Sequence, residues 1–238
     1  MWPARLPPAS TVLWLAPALA VLTLGMGLLS GWLKVRRGFR TGDTRKIFHF
    51  VVFTTAALLR LKLGIEAVNL LGVIVAFHVG AALLQGDGTL LYEGLAREQD
   101  SPRRSLHIVL PFVATAVGGV ASAALFGRFA AVGFAVAGWG DAVGEPIGSR
   151  FGRHRYRVPG IGGLAATRSL EGSFAVFAAS WVAAALALTW IQDAAPLAVL
   201  TEALLVALAA TALEAFTHHG LDNLTVQLGA SAAAWALG

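Results

Sequence analysis

The chain has no cysteine, and only 13% of its 238 residues are charged. Without cysteine there is no disulfide scaffold, no thiol catalysis and no thiolate metal site. A soluble globular domain carries roughly 25% charged residues. About half that share, beside 57% hydrophobic residues and a mean hydropathy of +0.71, excludes disorder, a collagen-like fibre, a coiled coil and an ordinary cytosolic enzyme. Internal repeats, low-complexity tracts and domain linkers are missing too, as are the Walker A pattern and the protein-kinase motifs. The net charge of +5 does not point to nucleic acid. In a membrane protein it reads as a positive-inside bias or as a site for phosphate-bearing ligands.

What is present is a succession of apolar runs. They cover Thr11–Leu33, Ile47–Leu61, Ile65–Gln85, Leu106–Phe126, a run opening at Phe129, Ser173–Ile191, Pro196–Phe216 and Leu221–Leu237. At roughly 20 residues per span, this predicts an all-α polytopic membrane bundle of seven or eight transmembrane helices. It forms one integral-membrane domain over 1–238. The first run is long and ends in the basic stop Lys34-Val35-Arg36-Arg37, which favours a span over a signal peptide. Segments 34–46, 86–105 and 150–168 hold fourteen of the eighteen Lys and Arg residues. By the positive-inside rule these three face the cytoplasm, and both termini face out. Leu90, Leu91, Tyr92 and Leu95 among charges predict a short amphipathic helix on the membrane surface.

Ionisable groups at membrane depth are functional candidates by default. The fifth run is apolar only over Phe129–Ala137 and then continues Gly138-Trp139-Gly140-Asp141-Ala142-Val143-Gly144-Glu145-Pro146. To cross a bilayer the chain must use this segment. Asp141 and Glu145 are four apart and share a helix face. Neighbouring carboxylates repel, and a divalent cation with a taste for hard oxygen, Mg²⁺, relieves that. Pro146 and the glycines predict an interrupted helix lining a cavity. The plainer alternative is that both acids pair with arginines of the next loop. That loop, with Arg150, Arg153, Arg155, Arg157 and Arg168, suits bidentate phosphate binding. Positive-inside charge explains Arg153, Arg155 and Arg157 equally well. Ser169 and Ser173 are candidate caps of the sixth span, whose N-terminus favours phosphate. Arg45-Lys46-Ile47-Phe48-His49 opens the second span, where snorkelling end charges are the bland reading. Glu214 and His218 are four apart but lack a third close ligand for zinc. His78 and His107 read as structural. By loop parity all the polar clusters meet on one side, which suits a Mg²⁺-nucleotide acting on a lipid headgroup.

At these residues the sequence resembles the phytol kinase and dolichol kinase family of membrane lipid-alcohol kinases. Arg45-Lys46-Ile47-Phe48-His49 is similar to that family's Arg-Lys-x-x-His start of a helix. The stretch from Gly140-Asp141 through Gly148-Ser149-Arg150-Phe151-Gly152 to Thr167-Arg168-Ser169-Leu170-Glu171-Gly172-Ser173 is similar to its Gly-Asp, Gly-Arg-x-Phe-Gly and Lys-Ser-x-x-Gly-Ser run. Glu214 followed by Asp222-Asn223-Leu224-Thr225 is like its late Glu and Asp-Asn. Arg168 stands where Lys is common, and Gln227 where Pro is usual. The resemblance implies a fold related to CDP-diacylglycerol synthases. It also implies transfer of the γ-phosphate of CTP, or of ATP, to an isoprenoid alcohol such as phytol, farnesol or a polyprenol. On this reading Asp141, Glu145 and Asp222 are catalytic, and with Glu214 they are the Mg²⁺ ligands. Arg45, Lys46, His49, Gly140, Gly144, Gly148, Arg150, Gly152, Arg168, Ser169, Glu171, Gly172 and Asn223 bind nucleotide and phosphate. The lipid tail lies between spans. The rivals are a CTP-dependent diacylglycerol kinase, a cytidylyltransferase making CDP-diacylglycerol from phosphatidic acid, and an anionic-metabolite transporter. The dense Lys-Asp…Gly-His-Gly-Gly signature of the second is not seen, and a transporter predicts polar groups on both sides of the midplane.

Overall fold

A computed structural model describes residues 5–158, 166–217 and 221–238. Its helices are α1 (Ala9–Arg37), α2 (Thr41–Lys62), α3 (Ile65–Gln85), α4 (Leu90–Leu95), α5 (Leu106–Phe126), α6 (Ala130–Phe151), α7 (Leu170–Ile191), α8 (Pro196–Phe216) and α9 (Asp222–Leu237). Strands β1 (Arg155–Val158) and β2 (Ala166–Ser169) form an antiparallel pair between α6 and α7, with Tyr156 opposite Arg168. The bundle is all-α apart from this pair. Among the described residues, five stretches are long and apolar enough to cross a membrane: Ala9–Arg37, Ile65–Gln85, Leu106–Phe151, Leu170–Ile191 and Pro196–Phe216. The third of these joins α5 and α6. The expected count of seven or eight spans thus includes α2, whose first turns are charged, and α9, which has 16 residues.

The elements start and stop for local reasons. Gly38 closes α1 with φ of +66°, a left-handed conformation that costs glycine nothing. Ser169 caps α7, its hydroxyl accepting from the Gly172 backbone N–H at 3.1 Å. Ser173, the other expected cap, instead shares a 2.7 Å hydrogen bond with the Tyr156 hydroxyl. Pro196 begins α8, where its missing N–H has no partner to lose. Three further differences from expectation concern the same region. The second helix begins at Thr41, so Arg45 and Lys46 lie inside it, past its first turn. The sixth runs unbroken from Ala130 to Phe151 despite Pro146. The α4 segment does not lie on a surface, for Leu91, Tyr92, Glu93, Gly94 and Leu95 are all buried.

Helix α6 is the spine. Every residue from Ala130 to Ala137 is buried, with α2, α7 and α9 packed around it. Small side chains make that possible: Ala183, Ala184 and Ala187 on α7, Ala203, Ala207 and Ala210 on α8, and Ala230 and Ala234 on α9 are buried. Bundles in lipid close through such residues, because tails compete with larger apolar groups. Large apolar side chains such as Phe77, Leu84, Phe174 and Leu197 point outward. A second core joins α1, α3 and α4. There Gly94 meets α1 so closely that a Cβ would stand 2.9 Å from the Gly31 nitrogen. Helix alternation puts the start of α2, the end of α6, the hairpin, the end of α8 and the start of α9 at one end of the bundle, together with α4.

Candidate active site

Two ion clusters form at that end. In the first, α2 supplies Arg45, Lys46 and His49, and α6 supplies Asp141 and Glu145. Lys46, only 4% exposed at its side chain, hydrogen-bonds Asp141 and lies 2.8 Å from Glu145 Oε2. Arg45 is 3.3 Å from the same Glu145 oxygen. His49 Nε2 lies 3.3 Å from Asp141 Oδ2, with its ring against Phe53. The one-turn spacing on each helix produces this match, since 45, 46 and 49 share the α2 face turned to 141 and 145. In the second cluster Arg168, at the end of β2, is 2.5 Å from Glu214 and 3.3 Å from Asp222. Asn223 donates to the Thr115 hydroxyl at 3.0 Å and so ties α9 to α5.

A cavity is lined by part of each cluster, with Glu145, Arg168 and Glu214 outside its lining. Arg45, Lys46, His49, Asp141, Asp222 and Asn223 form its polar end, and Val52, Phe53, Val75, Val79 and Phe112 form apolar walls. Three polar lining residues, Arg97, His107 and Thr115, were not picked out by the sequence as site residues. Arg97 comes from the segment after α4. It is 6% exposed, 2.9 Å from Asp100 and 4.0 Å from Glu145. Its signal was slight: one arginine in a basic loop, with an acid three residues on.

The remaining expected site residues fall elsewhere. Arg150 reaches Asp43 at 2.6 Å, outside the cavity and half exposed. Glu171 holds the turn after α6, accepting from the Arg153 N–H at 3.1 Å and facing His154 Nδ1 at 2.7 Å. Ser169 is spent on its cap. His218 lies outside the described residues. Arg153, Arg155 and Arg157 are exposed on and before the hairpin. Gly140, Gly144, Gly148 and Gly152 form a row along α6, and they meet α7 and its cap rather than the cavity. A Cβ on Gly140 would stand 2.9 Å from Ser180 Oγ, one on Gly144 would run into Val176, and one on Gly148 would stand 3.1 Å from Ser169 Oγ. A Cβ on Gly152 would stand 2.6 Å from Ser169 Oγ, and one on Gly172 3.0 Å from the Gly148 Cα. The row sets helix spacing. Gly144→Ala is therefore expected to lower the melting temperature in detergent, by about 1–3 kcal/mol of overpacking, with KM for nucleotide unchanged. A raised KM at unchanged melting would return the glycine to the phosphates.

No group of three or more His, Asp and Glu side chains converges as a ready metal cage among the described residues. Mg²⁺ seldom needs one. It usually keeps waters and takes one or two carboxylates together with substrate phosphates. Asp141 and Asp222 on the cavity wall fit that mode. So does Glu214, whose buried Oε2 has no hydrogen-bond partner among the described residues.

Fold and site together define a membrane-type helical bundle whose cavity is ionic at one end and apolar along its walls. No family model matches the chain, and no solved structure does. Over 233 residues the chain is 32% identical to the phytol kinase of Synechocystis sp., covering 96% of this chain and 94% of that protein. The chain belongs to the phytol and polyprenol kinase family, and is a phosphotransferase with a lipid alcohol as acceptor.

Proposed function

We propose that the chain transfers the γ-phosphate of CTP, or of another nucleoside triphosphate, to an isoprenoid alcohol such as phytol, farnesol or a polyprenol. The observation that carries this reading is the chemical division of the one cavity. Its apolar walls suit the tail, and its ionic end suits a hydroxyl meeting a polyphosphate. Arg45, Lys46 and Arg168 bind the phosphates, and the acids they neutralise are the groups that would hold Mg²⁺: Asp141 and Asp222 foremost, then Glu145 and Glu214. Bound there, Mg²⁺ supplies charge neutralisation on the phosphate oxygens. The alcohol oxygen forms the new bond to the γ-phosphorus as the bond to the β–γ bridging oxygen breaks, and the nucleoside diphosphate leaves. The hydroxyl proton passes to a carboxylate, Asp141 or Asp222, held beside it. Most of the catalysis is positioning and charge stabilisation, as in other phosphoryl transfers. The basic residues concentrated at this end support a cytoplasm-facing site.

The test uses purified protein in detergent with Mg²⁺, γ-labelled CTP or ATP, and a panel of phytol, farnesol, a polyprenol, diacylglycerol and phosphatidic acid. Label should appear on an isoprenoid alcohol. Label on diacylglycerol alone would change the acceptor, and pyrophosphate released with phosphatidic acid would overturn the kinase reading.

A further inference from the structure

The cavity is shallower than the ligand the proposed function assigns to it. Its α2 wall runs from Arg45 to Phe53, a rise of about 12 Å at the α-helical 1.5 Å per residue. A polyisoprenoid tail is longer than that, so most of it must leave the cavity. The walls differ in how tightly they are sealed. Helix α6 is jammed against α2 and α7 along its length, whereas α3 and α5 touch each other only sparsely. Apolar cavity-facing residues repeat there at helical spacing, Val75 and Val79 on α3 and Ile108 and Phe112 on α5, beside the polar His107 and Thr115 of α5. On the same helices, Phe77 on the face of α3 opposite the cavity and Val113 beside Phe112 on α5 are exposed as lipid-facing residues are. The chain directions fix the order. α3 ends and α5 begins at the ionic end, so Val79 and Ile108 lie nearer the reacting hydroxyl, and Val75 and Phe112 lie one turn deeper.

Resting on the kinase reading, we propose that the α3–α5 seam is the lateral slot by which the isoprenoid tail passes from the cavity into the bilayer, with Val75 and Phe112 setting which chains fit. The hydroxyl and first isoprene units occupy the cavity. The remaining units thread between α3 and α5 and stay in lipid, so a long alcohol never has to be lifted wholly out of the membrane. A second apolar groove, between Trp139 on α6 and Phe174 on α7, lies on the far side of α6 and shares no lining residue with the cavity.

Two measurements test this. The first compares kcat/KM for geraniol and phytol. Val75→Phe narrows the slot below the first units, and is expected to lower the phytol-to-geraniol ratio at least tenfold, the scale of discrimination a pocket achieves by excluding small apolar groups. Phe112→Ala widens it, and should move the ratio the other way; it carries the comparison if Val75→Phe does not fold. Both alcohols changing together, or neither changing in folded variants, would overturn the slot while leaving the kinase reading in place. The second uses a phytol analogue with a photoreactive group near the tail end, and reads binding without turnover. Cross-links should map to 65–85 and 106–126. Cross-links confined to 139–182 would overturn the slot, whatever the enzyme phosphorylates. Specific cross-linking at the seam without label transfer from any nucleotide would instead overturn the kinase reading and keep the slot.

Discussion

Asp141→Asn is expected to abolish turnover, lowering kcat by about a hundredfold or more, in a protein that still folds. The two halves of that expectation have separate grounds. Asp141 faces Lys46 and His49 on the cavity wall beside Asp222, and on the proposed mechanism losing its negative charge removes a group for cation and for proton. The fold survives because Lys46 keeps Glu145, at 2.8 Å, as its counter-ion. Breaking a buried pair costs about 3–5 kcal/mol when a charge is left alone, and here none is. Replacing both acids at once strands Lys46 and Arg45 together, and that double variant should fail to accumulate. Single-turnover label transfer and melting in detergent separate the cases. Wild-type turnover in Asp141→Asn would remove this aspartate from the chemistry.

The largest expected loss of stability lies outside the cavity, at Glu93→Gln. Glu93 is buried on α4 and accepts from Lys34 at 2.6 Å, from Arg104 at 2.7 and 3.1 Å, and from the Gly88 N–H at 3.1 Å. It binds α4 to the end of α1 and to the approach of α5 through charge. Burial by itself would raise the Glu93 pKa, but the hydrogen bonds from Arg104 and Lys34 outweigh it and hold the group at about 2. The unfolded value is about 4.3, so the folded group is depressed. Its contribution is fully present above about pH 4.3 and is lost as the pH falls toward 2. The variant should melt lower by about 3 kcal/mol near neutral pH. The wild type should lose stability across that acid window, while Glu93→Gln lacks this component of the loss. Equal acid sensitivity in both proteins would show that the carboxylate is not the group titrating.

Residue by residue, the runs at 65–85, 106–126 and 196–216 coincide with α3, α5 and α8, because an uninterrupted apolar stretch has no other stable state in lipid. The start of α2 was six residues earlier than its apolar run, since hydropathy cannot see a polar first turn. The meeting of Arg45, Lys46 and His49 with Asp141 and Glu145 was foreshadowed by two one-turn spacings on helices that share a bundle end. Arg168 near Glu214 and Asp222 followed from the same parity. The glycines were harder. A Gly every fourth residue marks one helix face, but spacing along a chain does not say whether that face meets a ligand or a neighbour. The Gly140–Gly152 row meets α7 and its cap. The burial of α4 had a comparable hidden cause. Its apolar residues suited a membrane surface, and only the Gly27 and Gly31 notch on α1 makes room for it inside.

That glycine row also keeps time for the chemistry. Gly140 and Gly144 immediately precede Asp141 and Glu145, and successive residues on an α-helix turn by about 100°. The notch against α7 therefore sets the rotational phase of α6, and with it the compass bearing of both acids toward α2. Slipping the helix by one residue would swing the carboxylates off that bearing while leaving every one of them in the chain. The glycines meet α7 and its cap, and they are the keyway in which the acidic blade is aligned.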